Sequence, residues 1–205
     1  MSDAREAILA RIRATRAAVP TVRRSCEAPL PVVGDDLVAA FSERARKLSS
    51  DVFGPVAAAQ AGAQIAGYLR DRQLPAQAVC WPALAALDWS SAGLACEARV
   101  ARGTDLVGIT GCFCAIAETG TLMLLSGPDT PASVSLLPET HVALLPVTRI
   151  VARMEDAWAL LRKEHGELPR AVHFISGPSR TADIEQTVTL GAHGPYRVLI
   201  VLTNG

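Results

Sequence analysis

Residues 107–128 read VGITGCFCAIAETGTLMLLSGP. Two short apolar runs, FCAIAE and TLMLLS, meet at Thr119-Gly120, the pattern of adjoining strands joined by a tight turn. On either side of this segment lie more short apolar runs: AVCW (78–81), 95–100, HVALLP (141–146), AVHFIS (171–176) and YRVLIVL (196–202). Helical periodicity separates them. One helix is expected over 36–48, capped by Asp35 or Asp36, with Leu37, Val38, Phe41, Ala45 and Leu48 as its apolar stripe. Others are expected over 56–71, with Pro55 near the first turn, in PALAALDW (82–89), and over 153–165. Nearly continuous apolar strands alternating with helices predict an α/β fold, a sheet buried by helices on both faces.

The start of the chain differs. Residues 3–18 read as an amphipathic helix that Pro20 ends, and Pro20, Pro29, Pro31 and Gly34 mark an extended connector. The expected organisation is an N-terminal helix and connector over 1–34 and an α/β domain over 35–205.

Twenty basic residues balance twenty acidic ones, which argues against nucleic acid or an anionic membrane as the main partner. Eighteen of the basic residues are Arg, a side chain suited to gripping carboxylate or phosphate with two hydrogen bonds, although a GC-rich genome produces the same bias. No apolar run approaches the ~18 residues that cross a bilayer, and the start lacks a signal-peptide core. A cytoplasmic location is therefore expected. Cys26, Cys80, Cys96, Cys112 and Cys114 are odd in number and irregular in spacing, so they read as small buried hydrophobes rather than disulfides or metal ligands.

Two segments carry the candidate chemistry. ISGPSRTADIEQT (175–187) ends an apolar strand in Ser176-Gly177-Pro178 and continues with Ser179, Arg180 and Thr181. Open α/β sheets bind ligands beyond the carboxyl ends of their strands, and a helix start after Thr181 would add free N–H groups. Arg180 could clamp an anion there, while Asp183 and Glu185 could orient it or do acid–base work. The same residues also serve as ordinary turn, cap and helix-start chemistry. In the second segment Glu118, beside Thr119, Gly120 and Thr121, is a carboxylate between apolar strands. It is a candidate base, nucleophile or Arg partner, or else a hairpin-tip acid in water. His193, before Gly194-Pro195, is a candidate proton shuttle, or a hydrogen-bonded loop residue. His141 ranks below it.

These segments, GITGCFCAIAETGTLMLLSGP, SLLPETHVALLP and ISGPSRTADIEQTVTLGAHGPYRVLIVL, with the opening AREAILARIR, resemble the LUD-domain family, and within it the lactate-utilisation protein C group. The resemblance covers roughly 1–14 and 105–203. It implies a mainly parallel sheet between helical layers, similar to the NagB, ribose-5-phosphate isomerase and CoA-transferase group. It also implies a subunit role in oxidising L-lactate to pyruvate beside partner subunits that carry iron–sulfur clusters, with no cofactor in this chain. The cleft would then bind a small carboxylate or phosphate, or hold the partner. The family's AETGT falls on Ala117–Thr121, its SGPSRTADIE on 176–185 and its HGP on 193–195. One departure stands out: where the family often has a small residue and then Asp or Asn, this chain has Cys112 and Phe113. Two other readings stay open at this level. One is a stand-alone enzyme of the isomerase, transferase or cyclo-ligase kind with Glu118 as base or nucleophile. The other is a non-catalytic scaffold.

Overall fold

The computed structural model describes residues 2–18, 29–182, 188–191 and 193–204. Two units are separable, Met1–Leu30 and Pro31–Gly205. The first holds helix α1 (Ser2–Ala18), as the amphipathic pattern predicts. Pro20 and Cys26 lie outside the described residues.

The second unit runs α2 (Leu37–Lys47), β1 (Asp51–Ala57), α3 (Ala61–Asp71), β2 (Gln77–Cys80), β3 (Ala95–Ala98), β4 (Val107–Thr110), β5 (Cys114–Ile116), β6 (Thr121–Leu125), α4 (Ser133–Leu136), β7 (Thr140–Pro146), β8 (Ile150–Val151), α5 (Met154–Glu164), β9 (Val172–Ile175), β10 (Arg180–Ala182), β11 (Val188–Leu190) and β12 (Arg197–Asn204). Six strands form a wholly parallel sheet in the order β1-β12-β7-β4-β2-β3.

Strand β12 shows why this sheet is central. Val198, Ile200 and Leu202 join one core cluster with Phe41 and Ala45 of α2. Leu199 and Val201 join the opposite cluster with Ile65, Tyr68 and Leu69 of α3. Successive side chains of a strand point to opposite faces, so an unbroken apolar run suits a strand covered on both. Each such side chain, once buried, contributes about 1.5–3 kcal/mol.

The layer facing α2 holds more than helix. A second, four-stranded sheet, β8-β5-β6-β9, stacks there. FCAIAE and TLMLLS supply its antiparallel pair, with Ala115 opposite Leu122. Ala115, Ala117, Leu122 and Leu124 face the main core, whereas Cys114, Ile116 and Met123 pack on Ala157 and Leu161 of α5.

Local signals explain the helix ends. The Asp36 carboxylate accepts the Ala39 N–H at 2.9 Å, capping α2, and Arg44, Arg46 and Lys47 sit in its last turn, where the helix dipole favours cations. The helix expected over 56–71 is shorter. Residues 51–57 form edge strand β1 beside β12, and α3 begins at Ala61. Gly54-Pro55 interrupt the register between Phe53 and Val56, and an edge strand tolerates Pro at such a bulge. PALAALDW makes only a 3-10 turn over Pro82–Leu84. Val107–Thr110, read from sequence only as part of a glycine-interrupted run, is a fully buried strand. A Cβ on Gly108 would collide with the Val134 carbonyl of α4, so glycine there serves close approach, not chain termination.

Among the described residues, no helix is long and apolar enough to cross a membrane.

Candidate functional site

The β5–β6 turn is built on α2. The Gly120 N–H donates to the Ile116 carbonyl at 2.9 Å, closing the turn. Gly120 has φ +68°, and a Cβ would come within 2.5 Å of the Ala45 nitrogen, so only glycine fits both the conformation and the approach. Thr119 Oγ1 donates to Thr121 Oγ1 at 2.8 Å, and Thr121 Oγ1 lies 2.8 Å from Ser176 Oγ. This hydroxyl chain joins the turn to the loop after β9.

That loop rests on the same helix. Gly177 has φ +84°, and a Cβ there would strike the Leu48 carbonyl at the end of α2. The Ser179 N–H donates to the Pro195 carbonyl at 2.9 Å, and the Gly191 N–H donates to the Ser179 carbonyl at 2.9 Å. The Arg180 guanidinium donates to the Ser49 hydroxyl and reaches the Leu48 carbonyl at 3.5 Å. A helix carboxyl end carries partial negative charge, so it is a natural seat for a guanidinium.

Five of the sequence-predicted residues, Thr119, Gly120, Thr121, Ser176 and Gly177, therefore meet on the last turns of α2. Ser179 and Arg180 continue the same surface. Glu118 stands apart from Arg180. It is half-buried, its N–H donates to the Ala152 carbonyl at 3.0 Å, and among the described residues no hydrogen bond or ion pair joins it to Arg180. The convergence expected for these two side chains is replaced by contact of Arg180 with α2.

Arg180–Ala182 pair antiparallel with Val188–Leu190. The helix start expected after Thr181, with Asp183 and Glu185, lies outside the described residues. One further expectation changes. The loop does follow the carboxyl end of β9, but in the main sheet it sits at the amino edge. Leu48 and Ser49 lead into β1, and Pro195 leads into β12. Parallel sheets offer their ligand crevice at the other edge.

His193 lines a separate hollow of about 700 Å³ with Glu139, Tyr196, Arg197, Leu136 and Leu137, before β7 and β12. One guanidinium nitrogen of Arg197, Nη1, is buried with no partner among the described residues. Neither Arg197 in this hollow nor Ser49 on the Arg180 surface carries a sequence signal for its place. Ser49 reaches it through a positive φ of 68° just after α2. His141 has a structural place: it is fully buried, its Nε2 lies 2.8 Å from Thr110 Oγ1, and burial lowers its pKa to about 4, keeping it neutral. Among the described residues, no three His, Cys, Asp or Glu side chains gather as metal ligands.

The family model described as the LUD domain matches residues 39–203, which contain every segment of the site just described. The chain belongs to the LUD-domain family. Relatives include lactate utilization protein C of Anoxybacillus flavithermus, 41% identical over 99 residues, covering 48% of this chain and 44% of that protein. The Bacillus licheniformis protein of the same name is 32% identical over 126 residues, covering 60% and 52%. This LUD-domain chain thus spans about half the length of the curated relatives it matches. The fold is similar to that of a DUF162 family protein from Deinococcus radiodurans, with a TM-score of 0.62, 23% identity, and coverage of 84% of this chain and 99% of that one.

Proposed function

We propose that this LUD-domain chain serves L-lactate utilisation as a subunit of the system that oxidises lactate to pyruvate. On this reading the electron-carrying iron–sulfur clusters sit in partner subunits. The surface formed by Thr119–Thr121 and Ser176–Arg180 receives the small carboxylate. The observation that carries the reading is the family match across 39–203 together with relatives named lactate utilization protein C.

The geometry supports a binding role for that surface. The Thr121–Ser176 contact and the two glycine approaches to α2 fix its shape. Arg180 uses Nη2 on Ser49 and Leu48, and its other N–H groups have no partner among the described residues. They supply charge-assisted donors for a carboxylate, flanked by the Ser176 and Ser179 hydroxyls.

The experiment is affinity purification of the tagged chain from its native cells grown on L-lactate. Co-purification of proteins carrying iron–sulfur absorbance supports the subunit reading. Recovery of the chain alone, with the purified chain oxidising lactate unaided, overturns it.

A further inference from the structure

The carboxyl edge of the six-stranded sheet lies opposite the Arg180 surface. The chain leaves β2 for β3 on one side and leaves β4 for β7 on the other, so the topology reverses between the neighbouring strands β2 and β4. The crevice outside the carboxyl ends of strands at such a reversal is where parallel α/β sheets bind ligands. Trp81 directly follows β2, and Gly111-Cys112 directly follow β4. A cleft of about 440 Å³ opens there, lined by Trp81, Cys112, Phe113, Leu125, Ser126 and Thr130 among others. That volume suits a small-molecule site.

The walls are held in place by their own contacts. Trp81 is 5% exposed, and its indole N–H donates to the Pro131 carbonyl at 3.1 Å. The Phe113 ring lies under the Arg149 guanidinium, 4.7 Å from its centroid, and meets the His165 ring edgewise at 5.5 Å. The Phe113 N–H donates to the Met123 carbonyl at 2.9 Å, and its carbonyl accepts from Arg149 Nε at 2.7 Å. Two aromatic side chains in the lining suit a flat ring.

Charge and hydrogen bonding narrow the class further. His165 and Glu167 also line the cleft; Arg149 lies beside it, over Phe113, and its remaining nitrogens pair with both Glu164 oxygens at 2.7 and 2.9 Å. Its charge is therefore compensated and offers little to an anion. Burial pushes the Cys112 thiol above its usual range, so it stays uncharged. Ser126 Oγ accepts the Ala171 N–H at 2.9 Å, which leaves its own proton to donate. Thr130 Oγ1 donates to the Leu125 carbonyl at 2.8 Å, which leaves it able to accept. One donor and one acceptor beside an apolar slot match a carboxamide on an aromatic ring, whose carbonyl accepts and whose N–H donates.

We propose that this cleft is a binding site for a neutral, flat aromatic carboxamide, held against Trp81 and Phe113 and hydrogen-bonded at Ser126 and Thr130. The site is distinct from the Arg180 surface, at the opposite edge of the sheet, and does not depend on the lactate reading. It also gives Phe113 a purpose. Where the resemblance leads one to expect Asp or Asn, an aromatic wall replaces a polar group.

The test is a titration of the full ¹⁵N-labelled chain with benzamide, and with benzoate as its charged counterpart, followed by NMR. Benzamide is expected to give saturable shifts of the Trp81 indole N–H and the backbone amides of Ser126, Gly127, Asp129 and Thr130, with benzoate far weaker. Phe113→Leu keeps an apolar wall but removes the ring face, and is expected to weaken benzamide about fivefold. Should that variant not fold, Ser126→Ala takes its place, with weaker benzamide binding again expected. Shifts elsewhere or none at all, equal binding of benzoate, or unchanged affinity in the folded variant would overturn the proposal.

Discussion

Thr121 Oγ1 and Ser176 Oγ lie 2.8 Å apart, although 55 residues separate them in the chain. This contact ties the β5–β6 turn to the loop that presents Arg180. Thr121 is 3% exposed, so its hydroxyl depends on Thr119 and Ser176 for partners.

Thr121→Val keeps the side-chain shape and deletes both hydroxyl contacts. We expect a loss of about 1 kcal/mol, read from urea unfolding midpoints. A double-mutant cycle with Ser176→Ala should show coupling of about 0.5–1.5 kcal/mol. Strictly additive losses would mean that the two hydroxyls do not act together.

Gly177→Ala meets two obstacles at once, a positive φ of 84° and the Leu48 carbonyl. The backbone alone costs about 1–2 kcal/mol, and displacing α2 adds to it. Gly166→Ala, with nothing within 4 Å of the new methyl, should change stability by less than about 0.5 kcal/mol. Equal melting temperatures for the two variants would contradict the packing described.

His141 gives the fold a pH dependence of definite sign. An unfolded histidine titrates near ~6.5, whereas folded His141 titrates at about 4. Between these values the unfolded chain holds a proton that the native chain rejects. Stability contributed by neutral His141 is therefore lost as pH falls from ~6.5 toward ~4, by about 3 kcal/mol in all. Urea unfolding at stepped pH measures this, and His141→Gln, which retains a partner for Thr110, should flatten the profile. A profile identical in the two proteins would rule the assignment out.

Arg180→Lys separates binding from folding at the proposed lactate surface. Arg180 is exposed, so the stability change should stay within about 0.5 kcal/mol. Lysine lacks the fork that can hold Ser49 and a carboxylate together, and L-lactate affinity should fall about tenfold. Calorimetric titration of both forms decides it, and matching affinities would remove Arg180 from the site.

Much of the fold was legible locally. Asp36 followed by Leu37, Val38, Phe41 and Ala45 marks a capped helix with one buried face, and α2 forms there. The run Val198–Leu202 has no polar break, and β12 is indeed covered on both sides. The reading failed where one residue type serves two purposes. Pro55 opens a helix in one context and breaks an edge strand in another, and only β12 alongside selects the strand. Gly108 reads as punctuation until Val134 is seen pressed against it.

Residues 117–121 and 176–180 stand out in the chain because glycines and hydroxyls cluster beside apolar runs, a property of neighbours in sequence. Apolar periodicity also dictates that the strands be buried, since their side chains have no other way to leave water. Which strands pair, that a second sheet covers the first, and that Arg180 turns to Ser49 rather than Glu118 were settled only by the folded chain. Such choices depend on contacts between segments up to 132 residues apart, as between Arg180 and Leu48, and no local pattern encodes them.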